Sequence, residues 1–246
     1  MKTIKILGIP FACTTSEAAL ELLEKWLDTD KNHVVVTPNP EGVMQARRNP
    51  VFREALIGAD ISLCDGTGIF MASRFLKTPF PERVRGFDTF TNLLERLQKY
   101  KRPITLYLLG GKSGVAEKAQ TKIEARYTNI KIAGTHHGFF TADEEPGVVE
   151  SINDISPDIL LVCTGMPRAE IWAYKHRLIN SRLTMCLGGT IDIWAGEVNL
   201  APSFLRKIGL EWLYRLIKQP SRAKRMLDIP RFVFAVILSK ITKNGG

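Results

Sequence analysis

His33-Val34-Val35-Val36-Thr37-Pro38-Asn39-Pro40 and its companion Ile61-Ser62-Leu63-Cys64-Asp65-Gly66-Thr67-Gly68 decide the fold. In each, a short apolar run stops at a polar break made of turn formers. Such runs, with little alternation, suit strands buried on both faces of a sheet. Between them Val43, Met44, Phe52, Ala55 and Leu56 are spaced for helical turns. Two strands joined by a helical crossover run parallel, so both breaks fall on one sheet edge. Thr37, Asn39 and Asp65 are therefore expected to share a crevice. Asp65 has two readings: a functional carboxylate there, or the cap of a helix starting near Gly66.

Toward the N-terminus, Ile4–Leu7 reads as a strand ended by Gly8 and Pro10. Thr15 or Ser16 then caps a helix to Trp26. On the other side, Gly68–Leu76 reads as a short helix and Lys77–Gly86 as a loop rich in Pro and Arg. That loop, with Arg83 and Arg85, is either a ligand lid or simply a mobile connection. Phe87–Lys99 returns to helix. A regular alternation follows, with strands at Ile104–Leu109, Ile130–Ala133, Ile159–Cys163 and Leu183–Leu187. Helices are expected up to Arg126, near Glu144–Ile155 and near Ala169–His176. This pattern specifies α/β architecture: a Rossmann-like parallel sheet core in two lobes with a helical, basic C-terminal appendage. The expected divisions are residues 1–76, 77–201 and 202–246.

The net charge of +9 is concentrated in the appendage, whose 10 Lys or Arg face 2 Asp or Glu. The rest of the chain is nearly neutral. Pro202–Leu216 reads as an amphipathic helix, broken by Pro220, with further helical segments after Ser221 and Pro230. Its apolar positions with cationic flanks are too few to span a bilayer but suit its surface; a packing helix is the plainer reading. The asymmetry asks for an anionic partner. Cys13, Cys64, Cys163 and Cys186 form no CxxC pair, so buried free thiols are expected rather than a disulfide or zinc framework. Met1–Ile6 lacks the apolar core of a signal peptide, and a cytoplasmic protein is expected.

Several loops carry candidate chemistry. Gly110-Gly111-Lys112-Ser113-Gly114 would present backbone N–H groups at a helix start, a seat for diphosphate. It is neither GxxxxGK[ST] nor GxGxxG. Gly188-Gly189-Thr190 at another strand end could line the same crevice. Asp192 is a ligand contact or a helix-start cap. Glu170 lies in a first helical turn, where the helix N-terminus stabilises a carboxylate, or else contacts a donor sugar. His136-His137 would point apart on a strand and lack a carboxylate partner, so no metal site is expected. Neither a Gly-x-Ser-x-Gly elbow nor a Cys/His pair argues for covalent catalysis. The tail's Phe, Val, Ile and Leu, and a body without RNP, KH or zinc-finger patterns, argue against a nucleic-acid-binding protein.

Seven stretches together resemble the WecG/TagA/CpsF glycosyltransferase family, and more closely its N-acetylmannosaminyltransferases of wall teichoic acid synthesis. They are Thr37–Glu41, Asp60–Gly68, Arg83–Gly86, Leu109–Gly111, Gly165–Glu170, Gly188–Asp192 and Gly209–Leu216, in family order. The resemblance implies transfer of N-acetylmannosamine from its UDP-sugar to N-acetylglucosaminyl-diphospho-undecaprenol. Inversion at the anomeric centre, no cofactor and no metal in the chemical step are implied with it. A relative using glucose or N-acetylmannosaminuronic acid is the enzyme alternative. By resemblance Asp65 is the general base, and Thr37 and Asn39 position the sugars. Gly110, Gly111, Glu170, Gly188, Gly189, Thr190 and Asp192 would lie on the nucleotide and diphosphate side. Arg83 and Arg85 resemble a basic loop near the site. Arg215, Arg222 and Arg225 resemble tail arginines that swing over the crevice and stabilise the departing UDP. The tail would also dock on the anionic inner face of the cell membrane. Self-association of the body, in competition with tail closure, is a further expectation. Ala169 stands where the family often has Gln, and Asn199-Leu200 where it often has basic residues.

Overall fold

The computed structural model describes residues 1–218, 220 and 223–244. Its centre is a six-stranded parallel sheet of β3 (His33–Val36), β4 (Ile61–Ser62), β5 (Ile104–Gly110), β6 (Ile130–His136), β7 (Ile159–Cys163) and β8 (Leu183–Cys186). The spatial order is β4-β3-β8-β7-β5-β6. The sheet draws β3 and β4 from the first 76 residues and the other four from residues 77–201. They join where Val35 pairs with Met185. Every residue of β7 and β8 is buried, as expected for apolar runs covered on both faces.

Helices α1 (Ser16–Trp26), α5 (Gly86–Lys99), α6 (Val115–Arg126) and α9 (Thr190–Ala195) cover one face, packing Leu23, Phe90, Ala119 and Ile191 into one core. Helices α2 (Pro40–Ala46), α3 (Pro50–Gly58), α4 (Thr67–Phe75), α7 (Glu145–Ile155) and α8 (Arg168–Lys175) cover the other. Their Val43, Phe52, Ile69, Ile152 and Trp172 form a second core. The sequence starts several of these helices in a recognisable way. Thr15, Asn39 and Asn49 each accept a backbone N–H as N-caps, and Pro40 and Pro50 open α2 and α3, where a missing N–H costs nothing.

Three expectations are corrected, one near the N-terminus and two in the appendage. The first strand, β1 (Thr3–Ile6), is followed by a tight turn at Leu7-Gly8 and an antiparallel β2 (Ile9–Ala12). Leu7 and Gly8 both have positive φ, the geometry of a two-residue hairpin turn. Pro10 therefore lies inside a strand, opposite Lys5, in an edge position where its missing donor is tolerated. The appendage splits into α10 (Ser203–Lys207), α11 (Glu211–Lys218), α12 (Ala223–Met226) and α13 (Asp228–Asn244). The single helix expected over Pro202–Leu216 is interrupted at Gly209, whose φ of +81° ends the first turn set. A Cβ there would sit 2.6 Å from Thr67. Pro230 falls inside α13 rather than starting a segment; it occupies the first helical turn, where proline fits.

α13 docks firmly on the body. Phe232, Ala235 and Val236 are buried in the second core, and Arg48 grips Asp228 with two hydrogen bonds of 2.9 and 2.5 Å. Among the described residues no helix is long and apolar enough to cross a membrane.

Candidate active site

The sheet's topology opens a crevice at its carboxyl edge. β3 and β7 send their following helices, α2 and α8, to one face, whereas β8 and β5 send α9 and α6 to the other. Loops that diverge in this way leave a gap for a ligand. Thr37, Thr164, Gly110-Gly111 and Gly188-Gly189 stand at the strand ends around it.

Asp65, Thr37 and the head of α5 meet on one glycine. The Gly86 N–H donates to Asp65 Oδ2 at 3.3 Å. A Cβ on Gly86 would lie 2.8 Å from Thr37 Cγ2 and 2.7 Å from Leu187. Only a residue without a side chain lets α5 begin this close to both strand ends. The half-buried Asp65 carboxylate thus faces the positive end of a 14-residue helix, a favourable place for negative charge. α4 begins at Thr67, and its N-cap position is taken by Gly66 rather than by Asp65. Asn39 stands nearby, and its Oδ1 accepts from Gly42 N at 2.9 Å to cap α2. Cys64, buried beside Asp65, has its thiol pushed up to about 12, first by burial and then by the Asp65 charge. It stays a neutral thiol.

A second cluster joins the basic loop to the tail. Arg83 donates to Thr67 Oγ1 and, at 2.9 Å, to the carbonyl of Arg206. Arg85 donates to the same carbonyl at 3.1 Å and pairs with Asp88 at 2.9 Å. Arg206 closes the set with a 3.3 Å ion pair to Asp88. Burial and the neighbouring Arg85 lower the Arg83 pKa. Arg206 was visible in the sequence only as one cation among apolar tail positions; its partner is 118 residues away.

The glycine loops on the nucleotide side are also brought together. Asp192 at the start of α9 reaches both, with Oδ1 3.8 Å from where a Gly111 Cβ would lie and Oδ2 3.5 Å from a Gly189 Cβ. Gly111 O accepts from Gly138 N at 2.8 Å. Arg168 then holds that neighbouring loop by donating to the carbonyls of Gly138 and Phe140 at 2.8 and 2.7 Å. Gly188, at φ +52°, and Gly189 are exposed. Thr190 is turned inward: its N–H and hydroxyl both donate to Leu187 O, at 3.1 and 2.8 Å. Its side chain is spent on starting α9.

Glu170 departs from expectation. It is 5 % exposed and its Oε2 has no hydrogen-bond partner. Burial pushes its carboxyl up to about 7, so desolvation outweighs the helix N-terminus that was expected to stabilise the charged form. His136 and His137 do not point apart either. β6 ends at His136, strand alternation stops there, and the two rings lie 4.5 Å apart at 45°. Among the described residues no cluster of three or more His, Cys, Asp or Glu could hold a metal ion. Arg225 lies exposed on α12; Arg222 and the Arg215 side chain fall outside what the structure describes.

Comparison with known proteins places this geometry. A model of the Glycosyl transferase WecG/TagA/CpsF family matches residues 4–246. A Bacillus subtilis protein named N-acetylglucosaminyldiphosphoundecaprenol N-acetyl-beta-D-mannosaminyltransferase is 34 % identical over 245 residues, covering 99 % of this chain and 94 % of its own. Proteins of the same name from Bacillus spizizenii and Staphylococcus aureus are 35 % and 32 % identical. They cover 86 % and 96 % of this chain, and 81 % and 93 % of their own.

Proposed function

The chain belongs to the WecG/TagA/CpsF glycosyl transferase family, and from that premise we propose that it transfers N-acetylmannosamine from UDP-N-acetylmannosamine to N-acetylglucosaminyl-diphospho-undecaprenol. The observation that carries the reading is the meeting of Asp65, Thr37 and Gly86 at the carboxyl edge of the sheet. A carboxylate fixed at a strand end by the Gly86 N–H and facing the head of α5 is positioned and charged to accept a proton from a sugar hydroxyl.

The reaction then runs as one displacement. Asp65 takes the proton from the acceptor hydroxyl as that oxygen forms a bond to the donor's anomeric carbon. The bond from that carbon to UDP breaks on the opposite side, the electron pair leaves with the diphosphate, and the configuration inverts. Thr37 and the Asn39 amide orient the sugars. Gly110, Gly111, the head of α6 and the Gly188–Asp192 loop receive the nucleotide and its diphosphate. Arg83, Arg85 and the tail arginines Arg215, Arg222 and Arg225 offset the negative charge that grows on the leaving group. The basic tail keeps the enzyme on the inner membrane face, where a lipid-linked acceptor lies. Self-association of the body competes with tail closure.

The test is Asp65→Asn in the full chain, assayed with a short-chain lipid-diphosphate N-acetylglucosamine acceptor. Transfer is expected to fall by about 10²–10⁴-fold, with UDP affinity unchanged. Retained turnover refutes the base. A panel of UDP-sugars, glucose and N-acetylmannosaminuronic acid included, read by product mass, decides the donor.

A further inference from the structure

β1, the turn after α4, and α13 enclose a cavity of about 590 Å³ that none of the site residues lines. Four lysines from these elements face it: Lys2 and Lys5 from the N-terminal strand region, Lys77 from the turn, and Lys240 from α13. Leu76 and Pro79 supply part of its wall, and no acidic residue lines it. Lys2, Lys5 and Lys77 are exposed and form no ion pair among the described residues. Lys240 is held in place, donating to Phe75 O at 2.8 Å with its ammonium 4.0 Å from the Phe75 ring centre. Four like charges converging on one concavity repel one another, and an anion seated among them removes that repulsion.

The flank of the cavity says which anion. Phe75 is 43 % exposed, and Met71, one helical turn back on α4, is 57 % exposed. On α13, Phe234, Ile237 and Ile241 are 63, 40 and 62 % exposed, beside the Phe232 and Val236 that anchor the helix. The ammonium of Lys240 therefore sits where a basic cleft adjoins an apolar face. A soluble anion needs only the first. A phosphate carrying acyl chains uses both, the charge in the cleft and the chains against the neighbouring helices.

We infer that the Lys2–Lys5–Lys77–Lys240 cleft binds the phosphate of an anionic phospholipid headgroup, with the exposed faces of α4 and α13 resting at the acyl boundary beside it. This rests on the proposed function and deepens it by naming where β1, the turn after α4 and the docked α13, apart from the tail arginines, meet the membrane.

The experiment uses the full chain and vesicles of phosphatidylcholine with or without phosphatidylglycerol, scored by co-sedimentation at physiological salt. The native protein is expected on the phosphatidylglycerol vesicles. A triple variant Lys2→Ser, Lys5→Ser, Lys77→Ser is expected to bind them more weakly, on the order of fivefold per lysine and of a hundredfold together. Lys31→Ser, Lys99→Ser, Lys131→Ser removes the same charge from exposed positions elsewhere and is expected to lose far less. Millimolar inorganic phosphate is expected not to displace the native protein. Native-like binding by the cleft variant overturns the inference, as does equal loss in both triples, which would mean diffuse charge alone. Displacement by inorganic phosphate overturns it in favour of a free-anion site, and absence of native binding overturns it outright. Transfer to the soluble acceptor is measured on the same samples and is expected to be unchanged in the cleft variant. If the native protein shows no transfer, the proposed function fails while the vesicle comparison still reads the cleft.

Discussion

Glu170→Gln should make this protein more stable, and increasingly so as the pH rises toward neutrality. The Glu170 carboxyl is 5 % exposed, one of its oxygens lacks a partner, and burial raises it from an ordinary 4.5 to about 7. The folded protein therefore holds a proton that the unfolded chain releases. Between those two values the native state binds more protons than the unfolded state, so stability falls as pH increases, and above about 7 the loss is complete. At about 1.4 kcal/mol per pH unit, the full penalty is roughly 3 kcal/mol. Glutamine has the shape of the protonated acid and carries no charge at any pH, so it removes the penalty. Urea or thermal denaturation of both proteins from pH 5 to 8.5 measures the gap. It is expected to be small at pH 5 and to reach roughly 3 kcal/mol near pH 8, a Tm difference of about 6–12 °C for a chain of this size. Comparing the two proteins at each pH cancels every other titrating group. Parallel stability curves, or a Gln variant less stable throughout, would refute the reasoning, because either would mean that the carboxyl is already ionised and paired in the fold.

Three further substitutions probe the framework around the site. Gly86→Ala places a methyl group against Thr37 and Leu187 and should cut the transfer rate by tenfold or more, on the order of what a small misplacement costs, while costing only about 1–3 kcal/mol in stability; steady-state kinetics beside a denaturation curve separates the two. Gly209→Ala strains a φ of +81° and pushes on Thr67, so residues 202–218 should be cut faster in limited proteolysis while the body stays intact; an unchanged cleavage pattern would show that the contact does not hold the tail. Asp228→Asn breaks the Arg48 and Arg231 pairs at the head of α13 and should cost about 1–3 kcal/mol. The Arg48 hydrogen bond holds the Asp228 carboxyl below its ordinary 3.8, so that contribution is present above this value and lost as pH falls below it. Hydrogen exchange of α13 should show a constant gap from pH 5 to 8 that narrows only in acid.

The sheet was legible because its strands are continuous apolar runs ending at glycine or proline, a local pattern that needs no knowledge of partners. Ile159–Cys163 and the Val34–Val36 run announce themselves in this way. What was missed depends on contacts far apart in sequence. α9 is only 6 residues long and follows two glycines, so the sequence offered it only as a helix-start reading of Asp192 beside a loop reading. The break at Gly209 lies within a run whose apolar spacing continues across it; there the backbone turns left-handed against Thr67, a contact distant in sequence. In the site, Asp65 and Thr37 could be placed from the ends of their strands. The role of Gly86 could not, since it arises only when α5 starts against two strand ends at once. Glu170 was located correctly at a helix start, but its burial beside Cys186, on a strand distant in sequence, is not displayed by the sequence near it.

The appendage is held to the body by two unlike attachments, and their difference has a physical consequence. α13 presents three buried apolar side chains and a two-point carboxylate–guanidinium contact. Residues 203–218 bury little: Phe204, Ile208, Trp212 and Ile217 are 67, 50, 41 and 69 % exposed. Among the described contacts, two arginines donate to the one carbonyl of Arg206, Arg206 pairs with Asp88, and Gly209 lies against Thr67. Hydrogen bonds of this kind contribute about 0.5–1.5 kcal/mol each, and a half-exposed ion pair about 1 or less. Lifting this segment therefore costs only a few kcal/mol. Releasing α13 would expose Phe232 and Val236 and leave Asp228 without its partners, at a cost several times larger. The stretch that lies against Thr67, Arg83 and Arg85 is therefore the weaker of the two attachments and α13 the stronger.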